Sequence, residues 1–157
     1  MKTNIGIKSE HLEKVAQALN ILLADETVLY VKTRNAHWNI EGSDFHAVHL
    51  FFEEQYNQLS ETIDDIAERV RSLGHYAVGT MKQYLEIAHL SESTHGKNDS
   101  KTYMKELLGD HESIIMYIRG LVDEFEEKYG DSGSSDFVTA LLEQHEKMAW
   151  MLRSHLS

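Results

Sequence analysis

Four long amphipathic stretches, one shorter helical segment among them, and the absence of proline from 157 residues predict an all-α protein. The expected architecture is a four-helix bundle with a short extra helix in the connection between the second and third long helices. Proline would remove an i→i−4 hydrogen bond and kink a helix, so a chain without it suits long unbroken helices. No stretch alternates apolar and polar residues as a half-buried strand does.

The first helix is predicted over about 9 to 34, where Leu12, Val15, Leu19, Leu22 and Leu23 recur at helical spacing. Ser9 is placed to cap it, its hydroxyl accepting from amides that the first turn leaves unpaired. At Glu41-Gly42-Ser43-Asp44 the chain turns, and Ser43 or Asp44 is placed to cap the second helix. That helix, about 44 to 73, carries Phe52, Tyr56, Leu59, Ile63, Ile66, Val70 and Leu73 in alternating steps of four and three. The steps make a heptad-like stripe for packing helix against helix, and Gly74 ends it. A shorter segment over about 79 to 89 is followed by a polar break from Ser91 to Asn98.

The next long helix, about 99 to 128, turns Tyr103, Leu107, Ile114, Ile118, Leu121 and Phe125 to one face. Gly109 and Gly120 lie inside it, each costing about 1 kcal/mol relative to alanine. A loop from Tyr129 to Ser135 leads to the last helix, about 136 to 155, with Phe137, Leu141, Met148 and Leu152 inward. No repeat, low-complexity tract or linker interrupts this order, so residues 1–157 read as a single domain.

Composition narrows the function. No apolar run approaches the roughly 20 residues that cross a bilayer, and the first residues lack the apolar stretch of a secretion signal, so a cytoplasmic protein is expected. There are no cysteines, which excludes disulfides and thiolate metal sites and leaves His, Asp and Glu as the strong ligands. Those donors favour iron, manganese or similar ions over structural zinc. A net charge of −11 opposes binding to a phosphate backbone, which depends on clustered Lys and Arg.

Ten histidines make their company with carboxylates the question. On the second helix His49 and Glu53 are four apart, and Asp64 and Glu68 form a second such pair. At about 100° per residue the four share a strip roughly 100° wide on the flank of the apolar stripe, not on it. Taken alone, each pair reads first as a solvated polar flank. Glu53 and Asp64 lie about 16 Å apart along the axis, so one helix cannot fold both pairs around one ion. If both pairs are ligands, an antiparallel second copy would bring His49 and Glu53 of one chain against Asp64 and Glu68 of its mate, and two-fold symmetry would generate two sites at once. His37 is a candidate third ligand from the first chain, or else a capping or buried histidine beside Trp38.

These residues carry a family resemblance. His37-Trp38-Asn39, Gly42, Phe45 and His49, followed by Asp64-Asp65-Ile66-Ala67-Glu68-Arg69, resemble the signature of the Dps family, small ferritin-like proteins that protect bacterial DNA during starvation. Helix order, the short middle helix and Trp150 extend the likeness over essentially the whole chain. The resemblance implies a twelve-subunit hollow shell with iron-oxidising sites at two-fold interfaces and two ions at each site. By position, His37, His49 and Glu53 come from one subunit and Asp64 and Glu68 from the other, with Glu68 bridging. Glu53 departs from the family's more usual Asp, which keeps the charge but lengthens the arm. The implied reaction oxidises Fe(II) with hydrogen peroxide and stores ferric mineral, protecting the cell against oxidative damage.

Family shells admit iron through acidic pores near the start of the last helix, where this chain has Asp131 and Asp136, with Glu126 and Glu127 before them. The same residues read equally as an acidic loop and a helix-starting Asp that favours the dipole. Members that coat DNA often carry Lys-rich tails; here only Lys2 and Lys8 precede the first helix. Twelve copies at −11 would carry on the order of −130, so little direct DNA binding is expected at physiological salt. Two other readings stand beside this one. A conventional ferritin or di-iron protein would place its ligands inside each bundle on Glu-x-x-His pairs, of which Glu86/His89 and Glu92/His95 are examples. A Dps-like shell without oxidation chemistry is the other.

Overall fold

The computed structural model describes residues 3–93 and 96–157. Lys2, counted above among the basic residues before the first helix, and His95 of the Glu92/His95 pair lie outside the described residues. Five α-helices run in order: α1 Ser9–Asn39, α2 Phe45–Ser72, α3 Met81–Ile87, α4 Ser100–Asp123 and α5 Ser132–His155, with a π turn over Glu124–Lys128 between the last two. Among the described residues the only extended pairing is an isolated bridge between Glu41 and Asp99. The predicted all-α four-helix bundle is therefore the observed one. No helix among the described residues is long and apolar enough to cross a membrane.

Contacts fix the helix directions. Tyr117 on α4 donates to the carbonyl of Ala18 on α1 (3.2 Å), and Lys32, further along α1, reaches back to Asp110 (2.6 Å). Those two contacts make α1 and α4 antiparallel. Gln55 bonds the carbonyl of Met148, and Arg69 bonds Ser134, so α2 and α5 are antiparallel too. With α1 and α2 joined as a hairpin through His37 and His49, α2 and α4 must run parallel. Residues 73–99 therefore have to return the full length of the bundle, and α3 lies in that crossover, packed on α1.

The core follows the predicted stripes. Phe52, Leu59, Ile66, Val70 and Leu73 are buried, while Tyr56 and Ile63 of the same stripe are partly exposed at its edge. Leu19, Leu22, Leu23, Leu107, Ile114, Ile118, Phe125 and Leu152 complete the interior.

Polar side chains pin the crossover. Asp25, buried on α1, accepts from the backbone N–H groups of His89 (2.6 Å) and Leu90 (2.9 Å) and from the His89 ring (3.0 Å). Lys32 donates to the carbonyl of Ser91 (3.0 Å) and pairs with Glu106 and Asp110. Burial pushes the Asp110 carboxyl up, against the pull of Lys32. Each buried charge here has a partner, which is the condition for tolerating it.

Helix ends are where expectation and structure differ. α1 continues past Arg34 to Asn39, because no Gly or Pro interrupts it and Ala36 and His37 are buried on its last turn. α5 starts at Ser132 instead of about 136: Asp131 caps it by accepting from the Ser134 N–H (2.9 Å), and Gly133 is helical, not loop. Lys8, not Ser9, occupies the cap position of α1, and Asp44 occupies that of α2, neither with a side-chain bond. The caps that do form are Thr80 on α3, Asp99 on α4 and Asp131 on α5. Gly74 does end α2, at φ 88°, and a Cβ there would overlap the Thr3 side chain.

Candidate metal centre

The α1–α2 hairpin brings two of the predicted ligands together. Its connection is five residues long, and Gly42 adopts φ 138°, a value that L side chains rarely take. The tight turn sets His37, on the last turn of α1, against His49, on the second turn of α2. Their rings stack with centroids 3.7 Å apart and planes 21° from parallel. Each ring's Nδ1 donates to the other residue's backbone carbonyl, both at 2.8 Å. A carbonyl can only accept, so the proton of each neutral imidazole sits on Nδ1 and each Nε2 keeps a free lone pair. This mutual lock holds both rings in the tautomer a cation requires.

Glu53 lies one helical turn beyond His49 and is partly buried. The Tyr56 hydroxyl donates to Glu53 Oε1 at 3.5 Å, and the Tyr56 ring meets His37 edge-on at 5.2 Å. Tyr56 therefore touches two of the three residues on this half of the predicted site. Arg34 lies over the rings of Tyr30, Trp38 and Tyr56 and donates to the Tyr30 hydroxyl (2.9 Å).

Asp64 and Glu68 are exposed on the same flank of α2, about three turns further along. One chain thus brings His37, His49 and Glu53 into one neighbourhood and leaves Asp64 and Glu68 well away from them. Among the described residues, no group of three His, Asp or Glu converges closely enough to hold an ion.

Similarity to known proteins bears on the same chain. A Ferritin-like domain model matches residues 16–157. An uncharacterized low temperature-induced protein of Nostoc sp. is 41% identical over 155 residues, covering 99% of this chain and 87% of that protein. The DNA protection during starvation protein of Helicobacter pylori is 34% identical, covering 92% of this chain and 99% of its own length. The crystal structure of the Dps protein from Vibrio cholerae superposes with a TM-score of 0.93 at 34% identity, covering 100% of this chain and 98% of that one. This chain belongs to the Dps family. The Vibrio cholerae protein is described as a member of a broad superfamily of ferritin-like diiron-carboxylate proteins.

Within this Dps chain the two predicted pore carboxylates differ. Asp131 is buried, accepting from the Ser134 N–H (2.9 Å) and hydroxyl (2.6 Å) and pairing with Arg69 (3.2 Å). Its carboxylate is engaged in holding the start of α5 to α2. Asp136, five residues later, is exposed, as are Glu126 and Glu127 before it. The Glu-x-x-His pair within the described residues does not converge: Glu86 pairs with Lys82 (3.7 Å) and His89 with Asp25 (3.0 Å).

Sequence reasoning missed one polar cluster. Glu26 of α1, His111 of α4 and His145 of α5 are all fully buried in the bundle interior. His145 Nε2 lies 2.6 Å from Glu26 Oε1, and its Nδ1 lies 2.9 Å from Nδ1 of His111. Burial, and then the neighbouring His145, hold the His111 imidazolium well below the ordinary histidine range. The signal was available: each residue occupies a core phase between apolar neighbours such as Leu22 and Leu29, Leu107 and Ile114, or Leu141 and Met148.

Proposed function

We propose that this protein is an iron-storing mini-ferritin that oxidises Fe(II) at centres completed by two copies of the chain. The observation that carries the reading is the reciprocal His37–His49 lock, which aims two unprotonated nitrogens away from the protein's own hydrogen bonds. Imidazole nitrogens with carboxylates suit Fe(II) and the Fe(III) it becomes. His37, His49 and Glu53 supply one half of each centre; Asp64 and Glu68 of a two-fold mate supply the other, with Glu68 bridging two ions.

The surface beside the half-site supports a mate. Trp38 is 61% exposed, Met81 65% and Leu85 52%, and with Val31 they line a groove between α1 and α3. Large apolar side chains grouped like this mark a surface made for contact. An isologous dimer that covers them also brings the flank of α2 against its own copy, and closed symmetry builds such pairs into the twelve-subunit shell that the family implies.

Fe(II) and hydrogen peroxide are the substrates. One electron from each of two Fe(II) ions cleaves the O–O bond, and the two oxygens take up two protons and leave as water. Hydrolysis of the two Fe(III) ions to oxyhydroxide releases six protons, a net release of four per pair. Two irons held together let peroxide accept both electrons without releasing a hydroxyl radical. Iron enters through symmetry-repeated carboxylates at the start of α5, with Asp136 the exposed member and Asp131 supporting the helix start. The protein works in the cytoplasm and makes little direct contact with DNA, because an acidic shell repels phosphate.

The test is anaerobic Fe(II) loading of the full chain followed by peroxide, reading ferric absorbance and then co-elution of iron with protein. Rapid oxidation with iron held in a large assembly is expected. A rate equal to the protein-free control, with iron precipitating, overturns the reading. Complementation tests the sharing: a mixture reassembled from His49→Ala and Glu68→Ala chains regains about a quarter of the fast sites, because mixed pairs keep one intact centre. A centre contained within one chain would regain none.

A further inference from the structure

The buried Glu26–His145–His111 cluster plays no part in the chemistry above, and its geometry limits how many protons it can hold. Two contacts link three groups: Glu26 Oε1 to His145 Nε2 at 2.6 Å, and His145 Nδ1 to His111 Nδ1 at 2.9 Å. Each contact accommodates one proton, donated from one side and accepted on the other. A third proton must go to one of the outer atoms, Glu26 Oε2 or His111 Nε2, and a fourth fills the other. Both outer atoms are buried, and neither has a hydrogen-bond partner among the described residues. A donor placed there is desolvated without compensation.

We infer that Glu26, His145 and His111 form an acid-labile latch that holds α1, α4 and α5 together near neutral pH and opens the bundle on acidification. The ring nitrogens that face each other are spent on one shared hydrogen bond, so the cluster holds two protons in place of a metal ion and resists a third. Among the described residues, the other buried titrating groups are committed to partners elsewhere. On α1, Asp25 is committed to His89, Lys32 to Glu106 and Asp110, and His37 to His49. On α2 the buried polar side chains are Gln55 and Thr62, neither of which titrates, and α3 buries none. On α4, Tyr103 bonds Asn98; at the start of α5, Asp131 is committed to Ser134 and Arg69, and Ser134 and Ser135 do not titrate.

The direction of the pH effect follows. The His111 value is depressed on folding from 6.5, so below that pH the unfolded chain binds more protons than the folded one. Stability is fully present above 6.5 and is lost as pH falls from there toward the folded value. Opening the bundle frees His111 to take up the proton that the folded cluster excludes.

The experiment is an acid titration of the assembled full chain, following helicity by circular dichroism beside the imidazole nitrogens by NMR. His111 is expected to stay unprotonated with its neutral shift until the helices open, and then to protonate with them. His111→Asn keeps a donor near Nδ1 and removes the outer nitrogen; its opening should move about one pH unit lower and become shallower, with helicity near neutral pH unchanged. His145→Gln, which keeps a donor toward Glu26, serves if the first variant does not fold. A His111 that titrates in the ordinary range while the helices stay intact overturns the latch. So does a folded variant whose acid transition coincides with the parent's. Neither outcome touches the Fe(II) oxidation reading, which is measured near neutral pH.

Discussion

Two pairs of imidazoles in this molecule have been put to opposite uses. At the α1–α2 hairpin, His37 and His49 give their Nδ1 protons to backbone carbonyls and keep their Nε2 atoms free. In the bundle interior, His111 and His145 face each other through Nδ1, and His145 gives its other nitrogen to Glu26. The chemical group is the same, and what differs is the partner that the backbone supplies. A ring whose proton is taken by a carbonyl keeps a lone pair free for a cation, while rings that face each other in the interior share one proton and exclude the next. The first arrangement is open and incomplete in one chain, whereas the second is closed and complete.

The largest separation of the two comes from removing one proposed ligand of the open site. Glu68→Ala should reduce fast Fe(II) oxidation to the protein-free rate with the helicity of the folded chain unchanged, because the side chain is exposed on its own bundle. Stopped-flow absorbance and circular dichroism on the same sample measure both. Retained fast oxidation would break the proposed sharing of the centre. His145→Ala should do the reverse, costing about 3–5 kcal/mol of stability by leaving a buried partner uncompensated. Oxidation per folded chain should be unchanged in that variant, measured by denaturant unfolding beside the same assay.

Smaller effects sharpen the comparison. Asp131→Ala removes the cap of α5 and the partner of Arg69, and should cost about 1 kcal/mol, within the usual range for a lost N-cap. If Asp131 also conducts iron, the same variant slows oxidation at limiting Fe(II), whereas a purely structural role leaves the rate alone. The smallest expected change is Tyr56→Phe, which deletes the hydroxyl that restrains Glu53. It should weaken Fe(II) half-saturation by less than about tenfold, the scale of one net hydrogen bond, and leave the maximal rate intact. Glu53→Asp should remove this dependence, because the shorter arm does not reach Tyr56.

The fold was legible because helices advertise themselves locally. The alternating steps from Phe52 to Leu73 mark one buried face, and that face is the one the core uses. The flank carrying His49, Glu53, Asp64 and Glu68 was equally legible, since fixed spacing on one helix sets direction without any knowledge of neighbours. Helix ends were less so. Ser9 and Asp44 look like caps by type, yet no side-chain bond forms at Lys8 or Asp44, the positions where α1 and α2 begin. Ser132 to Ser135 look like loop by composition, yet the Asp131 cap and Arg69 draw them into α5. A small tertiary contact outweighs a weak local preference at a helix terminus.

Periodicity and composition alone therefore determined four long helices, a short helix between the second and third of them, a histidine–carboxylate flank and an acidic net charge. Tertiary structure alone decided that His37 and His49 lock each other's tautomers, that Asp131 is buried, and that Glu26, His111 and His145 meet. The physical reason is range. A helix's face is set by its 3.6-residue repeat, which is written in neighbouring residues. Which residues of separate helices share a level depends on the sliding of whole helices against one another, and that is settled only when the core packs.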